Sequence, residues 1–107
     1  MEKTFTYDGT KYTLTYTLDS IRRMESNGFV FEDIQSKPAT TIPLLFSGAL
    51  IEKHRNLDAD KIEEIYKALP KKDALVSALI KMYGKAISQI TEEPDGKGKN
   101  AVTEVDW

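Results

Sequence analysis

Residues 41–57, TIPLLFSGALIEKHRNL, constrain the fold most strongly. At 3.6-residue spacing Ile42, Leu45, Phe46, Ala49 and Leu50 share one side of a helix, while Leu44 and Ile51 occupy the other. A helix that is apolar almost all round is buried rather than laid on a surface. The stretch is therefore expected to run as one central helix. Pro43 sits in its first turn, where a missing N–H costs little, and Asn56 and Leu57 end it.

The elements around it follow from turn and cap signals. Lys3–Tyr7 and Thr10–Thr17 read as a β-hairpin, because Asp8-Gly9 suits a two-residue type I′ turn with positive φ at both positions. That loop places Tyr7 opposite Thr10 and Phe5 opposite Tyr12. Phe5, Tyr7, Tyr12, Leu14 and Tyr16 then share one face, and a one-residue slip would scatter them. Two strands alone are marginal, so this aromatic face has to lie on helices or on another chain. Thr17–Asn27 reads as a short helix, capped by Thr17 or Asp19 and stopped by Gly28. Its apolar side is Leu18, Ile21 and Met24, and Glu25 points the same way. Phe29–Ile34 reads as an apolar loop or short extended piece, and Ser36–Thr41 as a loop broken by Pro38.

Beyond the central helix, Asp58 caps a helix over Ala59–Leu69, with Leu57 and Ile62 as a hydrophobic staple and Pro70 as the stop. The last helix covers about Lys71–Ile90. Leu75, Leu79, Met82, Tyr83, Ala86 and Ile90 lie on one side, and Val76, Ile80 and Ile87 widen it past half the circumference. A surface helix needs a stripe of only about 100°. Either the helix packs on two neighbours of its own chain, or part of the stripe meets another chain.

These elements define an α+β domain over residues 1–90, an N-terminal two-stranded hairpin packed on a bundle of about four helices. Residues 91–107 form the second unit. Thr91–Asn100 reads as a flexible linker and Ala101–Trp107 as a short terminal segment with two valines and the only Trp. This tail holds five acids and two lysines, and the remaining body is close to neutral. A near-neutral body argues against electrostatically driven nucleic-acid binding. The chain of 107 residues has no cysteine, which excludes a disulfide framework, a thiolate metal site and a cysteine nucleophile. No signal peptide and no membrane span is expected, and the absence of Cys fits a cytoplasmic protein.

The search for chemistry returns structural roles. His54, the only histidine, follows Ser47 by two helical turns, about 10 Å along the axis, too far for a nucleophile–base pair. Its place in the last helical turn is explained by the helix dipole. Asp58, Asp60, Glu63 and Glu64 lack the Gly and the final acid of an EF-hand loop and suit a helix N-terminus instead. Gly96-Lys97-Gly98-Lys99 lacks the P-loop spacing. No enzyme activity, cofactor or metal is expected. Glu25 keeps two readings: its carboxylate pins a connection by accepting loop N–H groups, or it meets an Arg or Lys of a partner.

Four stretches carry a family resemblance. They are the hairpin F-x-Y-D-G-x-x-Y-x-L-x-Y-T (Phe5–Thr17), I-R-R-M-E-S-N-G-F (Ile21–Phe29), P-L-L-F-S-G-A-L-I-E-K-H (Pro43–His54) and L-I-K-M-Y-G-K-A-I (Leu79–Ile87). Together the chain resembles, over about residues 3–90, the small tail assembly chaperones of long-tailed phages, prophages and gene transfer agents. The resemblance implies a non-catalytic role. Such chaperones bind the tape measure protein, keep its long helices soluble, and help the tail tube protein polymerise around it. Many are made in two lengths by a programmed frameshift, and this chain would correspond to the short form. An over-wide apolar helix suits a holdase for amphipathic helices. The expected partner-binding residues are Val76, Ile80, Tyr83 and Ile87, with Trp107 as a tail anchor. Homo-oligomerisation stays open. So do a structural or connector subunit of a phage-like particle and a small nucleic-acid-binding regulator.

Overall fold

The computed structural model describes residues 1–91. Strands β1 (Glu2–Tyr7) and β2 (Thr10–Thr15) form a two-stranded antiparallel hairpin. Asp8 (φ 50°) and Gly9 (φ 80°) supply the two positive φ angles of the turn. The register has Tyr7 opposite Thr10 and Phe5 opposite Tyr12, as the alternation requires. The inner face carries buried Tyr12 and Leu14, with Phe5 stacked on Tyr12 at 5.3 Å between ring centroids.

The helices are α1 (Leu18–Ser26), the one-turn α2 (Asp33–Ser36), α3 (Pro38–Gly48), α4 (Ala59–Ala68) and α5 (Lys72–Ser88). The chain is thus an α+β fold with its hairpin at the N-terminus. Thr17 and Ser20 close a reciprocal cap at the start of α1, each side chain accepting from the other's backbone N–H. The C-terminus of α1 is a Schellman turn. Gly28 adopts φ 95°, its N–H donates to the Glu25 carbonyl, and the Phe29 N–H donates to the Met24 carbonyl. Met24 and Phe29 are both buried, the apolar contact that accompanies this motif. Asp58 caps α4 through the Lys61 N–H at 2.8 Å. At the other end Lys72 donates to the Lys67 and Leu69 carbonyls, satisfying orphan acceptors of α4.

α3 packs against α1, α2, α4 and α5 and is the hub of the domain. Leu45, Phe46, Ala49 and Leu50 are fully enclosed at its C-terminal half and just beyond. The helix is displaced from its expected span. It begins at Pro38, which takes the N1 position rather than breaking a loop, so Pro43 lies inside the helix. It ends at Gly48, and residues 49–56 form turns instead of carrying the helix to Leu57. Three contacts account for the stop. The Ala49 carbonyl accepts from Thr15 N–H at 2.9 Å, where a continuing helix would offer it to Lys53. The Leu50 and Ile51 amides fall back to Ser47 and Gly48, the tighter three-residue spacing of a fraying end. Met24 of α1 lies so close to Gly48 that a Cβ there would collide with its side chain.

The outer edge of β2 is closed by this same turn region. Thr15 N–H donates to the Ala49 carbonyl and Thr13 N–H to His54 Nε2, both at 2.9 Å. Among the described residues, no helix is long and apolar enough to cross a membrane.

Candidate protein-interaction surface

The wide stripe of α5 is spent mostly inside the chain. Leu79, Met82, Tyr83 and Ala86 are buried, and Val76, Ile80 and Ile87 are half-buried flanks packed against the same core. Tyr83 is therefore corrected from a partner contact to a core residue: it is only 6% exposed. Its ring stacks on Phe31 at 5.1 Å and 8°, meets Phe29 at 5.4 Å, and takes the edge of Tyr16 at 5.7 Å. The segment between α1 and α2 is the second neighbour that the stripe needs, because Phe29 and Phe31 fold over α5. Trp107, with all of residues 92–107, lies outside the described residues.

Where α5 passes the C-terminus of α1, a groove of about 480 Å³ opens. Phe29, Phe31, Tyr83 and Ile87 form its apolar part, with Glu25 and Glu32 on its walls. Gly84 leaves room, since nothing lies within 4 Å of where its Cβ would be. Val30, 46% exposed, lines the same groove, and Ile90, 61% exposed, lies one turn past Ile87. Both carboxylates bear on the Tyr83 hydroxyl, whose pKa is raised first by burial and then by Glu25 and Glu32. The groove is acid-walled and apolar-floored.

Three of the residues singled out from sequence, Glu25, Tyr83 and Ile87, meet in this groove. Val76 and Ile80 do not line it. Glu25 is exposed, and among the described residues its carboxylate accepts no hydrogen bond. The loop-pinning reading of Glu25 is thus corrected: the Schellman turn fixes the connection with backbone groups alone. Glu32 was not singled out. The usable signal was its spacing, one residue past Phe31 in an apolar stretch.

A larger groove of about 710 Å³ lies between α3 and α4. Leu44, Phe46, Ile62 and Tyr66 line it, with Glu63, Lys67 and Lys72 around them. Sequence reasoning missed it, because Leu44 was assigned to the far side of a buried helix. His54 also needs correction. It lies in the turn after α3, not in a helical last turn, and its ring rests against Tyr12 at 5.1 Å while Nε2 accepts from Thr13. Ser47 Oγ donates to the Leu44 carbonyl. Neither side chain addresses the other. Among the described residues no group of three or more His, Asp or Glu side chains is placed to hold a metal ion.

The fold and surface define a small hairpin-and-helix domain with apolar-lined grooves on its surface. The chain belongs to a family described as a domain of unknown function, DUF5055, whose model matches residues 1–107. No curated protein and no solved structure matches the chain.

Proposed function

We propose that this protein is a non-catalytic tail assembly chaperone of a phage or prophage, acting in the host cytoplasm on the tape measure protein, with the tail tube protein as a second partner. The observation that carries the reading is the groove beside Glu25. An unpartnered carboxylate stands at the rim of an apolar floor, next to exposed Val30. That chemistry suits an amphipathic helix bearing Lys or Arg beside its apolar stripe, bound helix-in-groove. The resemblance of the hairpin, α1, α3 and α5 sequences to such chaperones supports the same reading. Binding of this kind needs no cofactor.

The test is co-expression with the tape measure protein encoded nearby. The wild-type chain keeps that protein soluble, and Glu25→Lys or Ile87→Asp releases it to the pellet. Precipitation regardless of the wild-type chain overturns the proposal.

A structural subunit of a phage-like particle is the second reading, favoured by the outer edge of β1. Thr13 and Thr15 direct their amides away from β1, so their partners Thr4 and Glu2 also face outward. Among the described residues the amides of Glu2 and Thr4 have no acceptor. Such an edge can take a strand from another subunit. Mass spectrometry of purified particles separates the readings: a retained subunit is found there, and a released chaperone is not.

A further inference from the structure

The two edges of the hairpin differ. On β2 the outward amides of Thr13 and Thr15 are taken by His54 and Ala49. On β1 the residues in the same phase are Glu2, Thr4 and Thr6, opposite Thr15, Thr13 and Lys11. Their amides point away from β2, and among the described residues none has an acceptor. All three residues are exposed, and β1 carries neither a proline nor a break in register that would guard the edge. A two-stranded sheet is marginal in water, and an open edge of this kind pairs with another strand.

The sequence of β1 suits a copy of itself. Antiparallel strands exchange both hydrogen bonds only where an outward residue faces an outward residue. With Thr4 set opposite Thr4 of a second copy, Glu2 falls opposite Thr6 and Thr6 opposite Glu2. Every outward residue of β1 is then paired. A slide that sets Lys3 against Lys3 loses the Thr6 pairs and opposes like charges. A slide that sets Phe5 against Phe5 loses the Glu2 pairs, whose counterpart becomes Asp8 in the turn. The Thr4 register also serves the face turned toward the helices. There Lys3 lies opposite the half-buried Phe5, whose ring its methylene stem covers. Met1, 70% exposed, lies opposite Tyr7, a pairing that favours a sulfur–aromatic contact.

We infer that β1 pairs antiparallel with β1 of a second copy of this chain, Thr4 against Thr4, making one four-stranded sheet across a two-fold axis. The contact is isologous and closes at two chains. Both new outer edges are β2, where the Thr13 and Thr15 amides are already taken within each chain, so the sheet grows no further. The pairing uses neither groove and holds for a chaperone and for a particle subunit alike.

Light scattering and amide hydrogen exchange on the full-length protein test it. The expected mass rises with concentration from 12.1 kDa toward twice that value. The Glu2, Thr4 and Thr6 amides gain protection over the same range, while the Phe5 and Tyr7 amides, bonded within the hairpin, are protected throughout. Thr4→Lys and Thr4→Glu each set like charges face to face and stay monomeric, and an equimolar mixture of the two regains the dimer. Thr4→Pro, which deletes an amide the hairpin does not use, stays monomeric as well. Several results overturn the inference. One is a wild-type mass fixed at 12.1 kDa across the concentrations at which amide exchange is recorded. Another is a wild-type dimer whose Thr4 amide exchanges as fast as the monomer's. A dimer that survives in both charge variants assigns the contact to another surface. A mixture that stays monomeric, although both variants keep the wild-type far-UV circular dichroism, rejects the Thr4 register.

Discussion

The Thr13 amide donates to Nε2 of His54 across 2.9 Å, joining the outer edge of β2 to the turn that follows α3. With the Thr15–Ala49 bond beside it, this contact replaces the hydrogen bonds that a third strand would give. It also fixes the neutral ring's proton on Nδ1, because Nε2 serves as the acceptor. His54→Phe keeps an aromatic ring beside Tyr12 and removes only the acceptor. The expected loss is about 1–2 kcal/mol, the cost of an unmet donor in a part-buried site. Urea denaturation measures it, and faster hydrogen exchange at the Thr13 amide localises it. Unchanged exchange at that amide contradicts this role for His54.

Gly48 is where α1 and α3 come closest, with Met24 over the missing side chain. Gly48→Ala is expected to destabilise by about 1–3 kcal/mol through overpacking, despite the better helix propensity of Ala. Combining it with Met24→Ala should give a non-additive loss, since one side chain then occupies the space the other vacates. Strict additivity in thermal melts rejects the contact.

Tyr83 and Glu25 share a groove but differ in role. Tyr83→Ala removes a ring packed among Tyr16, Phe29 and Phe31 and should cost about 3–5 kcal/mol, as for other large aromatic truncations in cores. Glu25→Gln should leave stability within about 0.5 kcal/mol, as expected of a surface site without partners. Partner binding, measured by retention of the tape measure protein in the soluble fraction, should weaken with Glu25→Gln alone. A large stability loss from Glu25→Gln returns the residue to a pinning role.

Alkaline pH should weaken the fold. Burial raises the pKa of Tyr16 far above its ordinary 10.0, and its hydroxyl donates to the Leu45 carbonyl at 2.6 Å. Tyr83 is raised in the same direction. Between the unfolded pKa and the higher folded one, the unfolded chain has released protons that the native state still holds. Stability is therefore intact below pH 10 and falls as pH rises beyond it. Chemical denaturation at stepped pH should show this slope, and Tyr16→Phe should flatten it while lowering stability at neutral pH by about 1 kcal/mol. An equal slope in wild type and variant excludes Tyr16 as its source.

The legible parts of this chain were those decided by neighbours in sequence. Asp8-Gly9 selected the turn, and the turn set the strand register. Thr17, Gly28 and Asp58 marked helix ends by caps that reach only three or four residues. The apolar spacing placed α4 and α5 to within about two residues. Of the groove between α1 and α5, Glu25 and Ile87 were singled out from sequence as residues that a simple core did not need. Glu32 and the α3–α4 groove were not, because a groove is a relation between elements rather than a pattern within one.

Sequence alone determined a hairpin with one aromatic face in need of cover, since alternation and turn chemistry are local properties of the chain; that the cover is this chain's own helices was decided by the tertiary structure. Tertiary structure decided where the central apolar stretch stops being a helix. Thr15 takes the Ala49 carbonyl, His54 turns to Thr13, and Met24 fills the space above Gly48. Each of those partners lies more than twenty residues away. No periodicity records such competition, because a backbone carbonyl offers the same lone pairs to a helix turn and to a distant strand, and packing selects between them.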